Sequence, residues 1–164
     1  MGLIKYHTVL LVLLLLTISG CGGGGGGGDT DSGSVPPTTK TATLKFFSQS
    51  TNPGDKLSGF DLSVTLPAGA FIPTDISGVP LSSVVYLSGN SSGLLDASYD
   101  SSMRKLTANS GNLSSYDLGE FITILVTVSD SYVPRVSDIT YSFTAWGLPA
   151  GTPMPTVTAT ATFN

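Results

Sequence analysis

The stretch Ser58-Gly59-Phe60-Asp61-Leu62-Ser63-Val64-Thr65-Leu66 carries the clearest structural signal in the sequence. Apolar residues at positions 60, 62, 64 and 66 alternate with polar residues at positions 61, 63 and 65. This period of two is typical of a β-strand with one face in a core and the other in solvent. Proline and glycine follow at once, so we predict that this strand ends at residue 66.

Other segments repeat this pattern on both sides of that strand. We predict strands over residues 41–48, 82–87, 94–100, 104–109, 120–129, 137–146 and 155–163, with a loop over 71–80 and at most one helical turn over 114–119. In the most apolar segment, we expect Ile122, Ile124, Val126 and Val128 to face the core, and Phe121 and Leu125 to lie on the opposite face. No stretch after Cys21 has a helical period over ten residues, so the sequence predicts an all-β fold, an antiparallel β-sandwich.

The chain begins with a segment that has the organisation of a secretory signal. Lys5 supplies a positive charge, and residues 9–18 are almost entirely apolar. A transmembrane helix needs about 20 apolar residues, so this run is too short for one, whereas it suits a cleaved signal peptide over residues 1–20. A membrane-spanning anchor is the alternative interpretation.

Ile18-Ser19-Gly20-Cys21 resembles the bacterial lipobox, in which an aliphatic residue and two small residues precede a cysteine. The resemblance implies cleavage before Cys21 and attachment of fatty acyl chains such as palmitate to it, which would anchor the protein to the membrane. In that family an Asp after the cysteine favours the inner membrane. Gly22 stands there instead, so we predict an exported protein in the outer membrane. The alternative is an ordinary secretory signal with a free cysteine.

Residues 21–39 predict a lipidated cysteine followed by a disordered tether. The run Gly22 to Gly28 offers no side chain to bury, and residues 29–39 are rich in Ser, Thr, Gly and Pro. A flexible linker of this length has an r.m.s. span of about 20–25 Å. We therefore place the folded domain at residues 40–164.

Composition excludes several classes of function. The chain has 7 Lys and Arg, 11 Asp and Glu, 1 His and 1 Cys. Without residues 1–20, which contain Lys5 and His7, 6 basic and 11 acidic groups remain, a net charge of −5. No basic cluster suits a nucleic acid, and no His or second Cys is left for zinc sites, disulfides or Ser-His-Asp catalysis. We predict no cofactor, and no enzymatic activity.

Three segments together resemble the cohesin-like β-sandwich, a jelly-roll relative of bacterial carbohydrate-binding modules. They are residues 57–67 (LSGFDLSVTLP), residues 97–100 (ASYD) with 105–107 (KLT), and residues 118–128 (LGEFITILVTV). The resemblance implies a jelly-roll sandwich with a non-catalytic binding role, toward protein modules or glycans. No ligand-binding residue is carried over by a motif.

Four aromatic residues are candidate ligand contacts. Tyr132, Trp146, Tyr99 and Tyr116 have rings that suit stacking on a sugar. Trp146 ends an apolar strand and equally suits a cap on the core, whereas Tyr132 precedes Pro134 and is the aromatic that we expect to be most exposed. Those of the four rings that are exposed would form a sugar-binding platform.

Two pairs of acidic residues are further candidate sites. Asp96 and Asp100 are weak calcium candidates, although a calcium ion needs six to eight oxygen ligands and surface turns are the alternative. Asp61 and Asp138 could form a catalytic carboxylate pair only if the fold brought them about 5–10 Å apart.

Taken together, the lipobox-like segment and the strand pattern favour a membrane-anchored lipoprotein whose sandwich domain binds another envelope protein. A tethered carbohydrate-binding module and a passive structural lipoprotein remain alternatives.

Overall fold

The computed structural model describes residues 38–164. The predicted signal peptide at 1–20, the lipidation site Cys21 and the predicted tether up to residue 37 lie outside the described residues. The first described strand begins at Thr39, one residue before the predicted start of the domain.

The described chain consists almost entirely of β-strands. They are β1 (Thr39–Ser50), β2 (Lys56–Thr65), β3 (Ala70–Phe71), β4 (Val85–Leu87), β5 (Leu94–Asp100), β6 (Lys105–Asp117), β7 (Glu120–Ser129), β8 (Thr140–Gly147), β9 (Thr152–Pro153) and β10 (Val157–Phe163). One short 3₁₀ helix, Val136–Asp138, precedes β8.

The strands form two five-stranded sheets in which every neighbouring pair is antiparallel. In sheet A the order is β10-β1-β7-β3, and β4 also pairs with β7; in sheet B the order is β5-β6-β2-β8-β9. The predicted all-β antiparallel sandwich is confirmed, and the predicted strand over residues 120–129 has the same bounds as β7. The finer likeness to cohesin-like jelly rolls stays a prediction.

The core lies between the two sheets. The alternation in β2 is confirmed, because Phe60, Leu62 and Val64 are at most 1% exposed, whereas Asp61 and Ser63 are only half-buried. The ring of Phe60 in sheet B lies 4.6 Å from the ring of Phe121 in sheet A, measured between centroids. Aromatic packing of this kind links the sheets near one end of the sandwich.

The expected outward orientation of Phe121 is wrong. Its ring is 1% exposed and packs against Phe60 and Phe143 of the other sheet. The next residue, Ile122, is also fully buried, so the two do not alternate between the faces of the strand. The register between β1 and β7 shifts between Phe46 and Phe47. Such a bulge breaks the alternation locally and redirects side chains, so two successive residues of β7 reach the core.

Two other expectations about local structure are corrected. Residues 114–119 do not form a helical turn, because β6 continues to Asp117 and its later part pairs with β2, where Leu57 lies opposite Tyr116. Residues 137–139 are not the start of a strand; they belong to the 3₁₀ helix and its C-terminal cap, and the strand begins at Thr140. Pairing with β2 therefore decided the first conformation, whereas the second is held by local hydrogen bonds from the backbone N–H groups of Asp138 and Ile139 to the carbonyl oxygens of Arg135 and Val136.

Candidate functional site

The outer face of sheet B carries a groove whose floor is made of glycine. In one cross-strand row, Leu94 of β5 lies opposite Gly111 of β6, Gly111 opposite Gly59 of β2, and Gly59 opposite Trp146 of β8. Adjacent strands are about 4.8 Å apart, so the two apolar side chains stand about 14 Å from each other across the two glycines. We call this feature the glycine groove.

The two floor glycines have different roles. A Cβ atom on Gly59 would lie 2.3 Å from the carbonyl oxygen of Ser110, so the backbones of β2 and β6 come too close here for any side chain. A Cβ atom on Gly111 would meet no heavy atom within 4 Å. Gly59 is therefore required by the fold, whereas the missing side chain of Gly111 leaves the groove open.

An irregularity in β6 builds the rim of the groove. Between the pairs Leu57–Tyr116 and Gly59–Gly111, a step of two residues in β2 faces a step of five in β6. The extra residues include Leu113, which is 94% exposed. Asn112 holds the excursion in place: its Nδ2 donates to the carbonyl oxygen of Ser92 (3.0 Å), and its Oδ1 accepts from the backbone N–H of Ser114 (3.0 Å).

Trp146 is fixed against the next row of the sheet. Its Nε1 donates a hydrogen bond of 2.9 Å to Oδ2 of Asp61, whose side chain points to the same outer face. The indole is half-buried rather than fully exposed. A ring held in one orientation loses little conformational entropy when it contacts a ligand.

Polar groups lie beside the apolar row. Asp96, Asn109, Asp61 and Thr144 pair across the four strands in the adjacent register, and of these Asp96 and Asn109 also line the groove. The groove has a volume of about 880 Å³ and is completed at one end by Ala150 and Gly151. It therefore offers aliphatic and aromatic walls with hydrogen-bonding groups along one side.

The other predicted aromatic contacts are not brought to this groove. Tyr116 is 6% exposed, its ring belongs to the core, and burial raises its pKa to about 12. Tyr99 is half-buried against the core, and its pKa is raised, chiefly by burial. Of the four candidates, Trp146 alone lines the groove.

Tyr132 is not the exposed ring that its loop position suggested. It is half-buried against the edge of the core, and its hydroxyl donates a hydrogen bond of 2.6 Å to Oδ2 of Asp138. Burial and this hydrogen bond raise the pKa of Tyr132 to about 12. Asp138 also accepts from the backbone N–H of Arg135 (3.0 Å), and these hydrogen bonds lower the pKa of Asp138. Tyr132 thus secures the loop between β7 and β8.

The acidic candidates have separate surroundings. Asp100 accepts hydrogen bonds from the Ser102 hydroxyl and from the backbone N–H groups of Met103 and Ser102. These hydrogen bonds lower the pKa of Asp100, which organises the turn between β5 and β6. Asp96 lies on the outer face of β5 and lines the groove. Within residues 38–164, no three His, Cys, Asp or Glu side chains are grouped as metal ligands.

The residues that define the groove, Leu94, Gly111, Gly59 and Leu113, were not among the predicted site residues. Glycine inside a strand pattern marks a bulge or a close approach of another backbone or a ligand, and this signal was present at Gly59. Asp61 and Asp138, the possible carboxylate pair, instead accept hydrogen bonds from two aromatic side chains. Trp146 donates to Asp61, and Tyr132 donates to Asp138.

No helix within residues 38–164 has the length and the hydropathy that crossing a bilayer requires. No protein-family model, curated protein or solved structure matches this chain.

Proposed function

We propose that this protein is a lipid-anchored, non-catalytic binding domain of the bacterial cell envelope, which assembles with or adheres to another envelope protein. The observation that supports the binding role is the row Leu94–Gly111–Gly59–Trp146 on the outer face of sheet B. Large apolar side chains that are exposed beside an open groove floor form a surface suited to binding a partner.

An extended segment of the partner protein fits the chemistry of the glycine groove. Glycines in a strand allow another backbone to approach closely, and Leu94 and Leu113 are aliphatic walls that are 83% and 94% exposed. Apolar side chains of the segment would contact these walls, while its backbone amides reach the Asp96 and Asn109 side chains. The binding energy would come mainly from burial of the two leucines and Trp146.

A carbohydrate is the second candidate ligand, because Trp146 is held rigidly beside acidic and amide side chains. Sugars are commonly bound by an aromatic face together with such hydrogen-bonding groups. The groove contains one aromatic residue and two exposed leucines, and this balance favours a protein segment.

The membrane attachment rests on the lipobox-like sequence that ends in Cys21. We propose that the signal peptide is removed, that Cys21 carries the acyl chains, and that the protein resides in the outer membrane. A Cys21→Ala variant should then appear in the soluble fraction of the envelope. Retention of this variant in the membrane fraction would show that the attachment does not depend on Cys21.

The binding site is tested with soluble protein that comprises residues 38–164 and is used to capture partners from envelope extract. Gly111→Val places a side chain in open space at the groove floor without a backbone clash. Ser98→Val is the matched control, because Ser98 is exposed on the same face of β5, four residues from Leu94. Circular dichroism and urea unfolding first establish that both variants keep the wild-type fold.

We expect one envelope protein to bind to the wild type and to Ser98→Val in near-equal amount, and to bind at least about tenfold less to Gly111→Val, a loss of about 1.4 kcal/mol. Equal capture by both variants would exclude the groove as the site. Recovery of a polysaccharide with the same variant pattern would favour the carbohydrate-binding function instead. Recovery of neither ligand would leave the passive structural role.

A further inference from the structure

One end of the sandwich gathers the start of β1 and the loops that connect the two sheets. Thr39 pairs with Ser129 at the end of β7, and Thr65 at the end of β2 pairs with both Thr140 and Lys105. The short turn after β2 leads from sheet B into β3 of sheet A. We call this the basal end, because the described chain enters the domain here at Thr38.

Exposed apolar side chains stand on the loops at and beside the basal end. Met103 is 59% exposed at the tip of the β5–β6 turn, and Val133 is 69% exposed in the loop between β7 and β8. Ile76 is fully exposed at the tip of a small hairpin closed by the Thr74–Pro80 bridge. This hairpin lies beside the β5–β6 turn, since Thr74 and Ser101 line one shallow cleft.

The cations of the domain are distributed unevenly. The structure of residues 38–164 contains two ion pairs, Lys45–Glu120 and Lys56–Asp117, and both are remote from the basal end. The remaining Lys and Arg side chains of these residues all lie on basal segments and are exposed: Lys40, Arg104, Lys105 and Arg135. The basal end therefore combines exposed apolar tips with cations that are not engaged with a carboxylate.

Carboxylates are also present at the basal end, but most of them are used within their own loops. Asp75 accepts from the backbone N–H groups of Ser77 and Val79, and Asp100 and Asp138 accept the hydrogen bonds described above. Asp130 is the fourth acidic residue of this end. Two of the cations also bond within the domain: Lys40 Nζ donates to the carbonyl oxygen of Asp130 (2.8 Å), and Arg104 Nε donates to that of Leu66 (3.2 Å). Lys105 and Arg135 extend on longer side chains than these aspartates, so they reach further toward a surface that the loop tips touch.

We infer that the basal end docks on the lipid bilayer, with Ile76, Met103 and Val133 entering the interface and the basal cations contacting anionic headgroups. Apolar tips flanked by Lys and Arg are the combination that binds at the bilayer interface. This inference rests on the proposed lipid anchor, which lies 17 residues before Thr38 at Cys21. Such a connection spans at most about 60 Å when fully extended.

The anchor makes a weak contact sufficient. A short linker keeps the domain at an effective concentration of about 1 mM near the membrane, so loop tips with little affinity in free solution would still bind much of the time. Docking through the basal end also orients the glycine groove. Leu94 lies six residues along β5 from the turn that carries Met103, a distance of about 20 Å. Docking would therefore hold the groove away from the bilayer, where a partner has access to it.

The test uses the full mature protein in vesicles of phosphatidylethanolamine and phosphatidylglycerol. Cys21 is the single cysteine, so once it is acylated an introduced cysteine is the only free thiol. Ile76→Cys and Met103→Cys report on the basal end. Leu113→Cys is the matched control, because it replaces an exposed aliphatic side chain on the rim of the groove. Each thiol carries an environment-sensitive fluorophore, and the lipids carry nitroxide quenchers on their acyl chains.

We expect quenching at positions 76 and 103 to exceed that at position 113 by about twofold or more, since interfacial side chains lie about 5–10 Å below the headgroup boundary. Quenching at the basal positions that is no greater than at 113 would overturn the inference. The mass of the Cys21 peptide is measured on the same sample. Acylated protein without basal quenching refutes only the docking, whereas unacylated protein refutes the proposed anchor and the docking together.

Discussion

The hydroxyl of Tyr116 is predicted to destabilise the domain, and its removal should stabilise it. The oxygen is fully buried and has no hydrogen-bond partner among residues 38–164, and burial raises the pKa of this side chain to about 12. An unpaired buried polar group costs about 1–3 kcal/mol. Tyr116→Phe removes that group and keeps the ring in the core, so we expect the free energy of unfolding to rise by about 1 kcal/mol.

The same substitution at Tyr132 should have the opposite effect. Its hydroxyl donates a 2.6 Å hydrogen bond to Asp138, which also holds the backbone N–H of Arg135. Tyr132→Phe removes that hydrogen bond and leaves the carboxylate with fewer donors. We expect the free energy of unfolding to fall by about 1 kcal/mol.

Both variants are measured by urea unfolding, followed through the fluorescence of the single tryptophan, Trp146. With a denaturant slope of about 1–3 kcal/mol per molar, each effect moves the midpoint by about 0.5 M, upward for Tyr116→Phe and downward for Tyr132→Phe. A fall in stability of about 1 kcal/mol for Tyr116→Phe would refute the reasoning. It would show that the buried hydroxyl is hydrogen-bonded and stabilising in the folded protein.

Three further predictions follow from the same packing. Because the folded-state pKa of Tyr116 is about 12 against 10.0 for an ordinary tyrosine, the unfolded state ionises this hydroxyl first, and the wild type should lose stability as the pH rises from 10.0 through about 12. Urea titrations across this range should show a shallower loss for Tyr116→Phe, which has no hydroxyl to ionise at this position. Phe60→Ala should lower the free energy of unfolding by about 3–5 kcal/mol, because its buried ring joins the two sheets, and a loss below about 1 kcal/mol in the urea titration would contradict that role. Gly59→Ala should lower the free energy of unfolding by more than about 2 kcal/mol, because the new Cβ would lie 2.3 Å from the Ser110 carbonyl oxygen. Gly111→Ala should change the free energy of unfolding by less than about 0.5 kcal/mol, because its Cβ would meet no heavy atom within 4 Å. Equal urea midpoints for the two variants would contradict this difference.

The sequence predicted the strands whose side chains alternate strictly. In β2, and in β7 from Ile124 onward, the period of two places large apolar residues on one face, and burial of that face fixes which side turns inward. The prediction failed where alternation is interrupted. Phe121 reaches the core because of a register shift that involves β1, and no local pattern around Phe121 contains that information.

The candidate site was predictable only in part. Trp146 was singled out as an aromatic residue at a strand end, and the structure places it on the wall of the groove. Tyr132 and Tyr116 were chosen by the same criterion, but one is bonded to Asp138 and the other is buried. The exposure of an aromatic ring depends on neighbours that are far apart in the sequence, so composition and loop position could not separate the three.

The sequence by itself determined the all-β fold class, because hydrophobic alternation and the absence of a helical period after Cys21 are local properties of the chain. It also supplied the lipobox-like segment on which the proposed anchor rests. Only the tertiary structure aligned Leu94, Gly111, Gly59 and Trp146 in one row, since the register of four strands is set by cross-strand hydrogen bonds and by packing of the opposite face. The gathering of apolar tips and cations at the basal end was decided in the same way, by which loops meet when the two sheets pack.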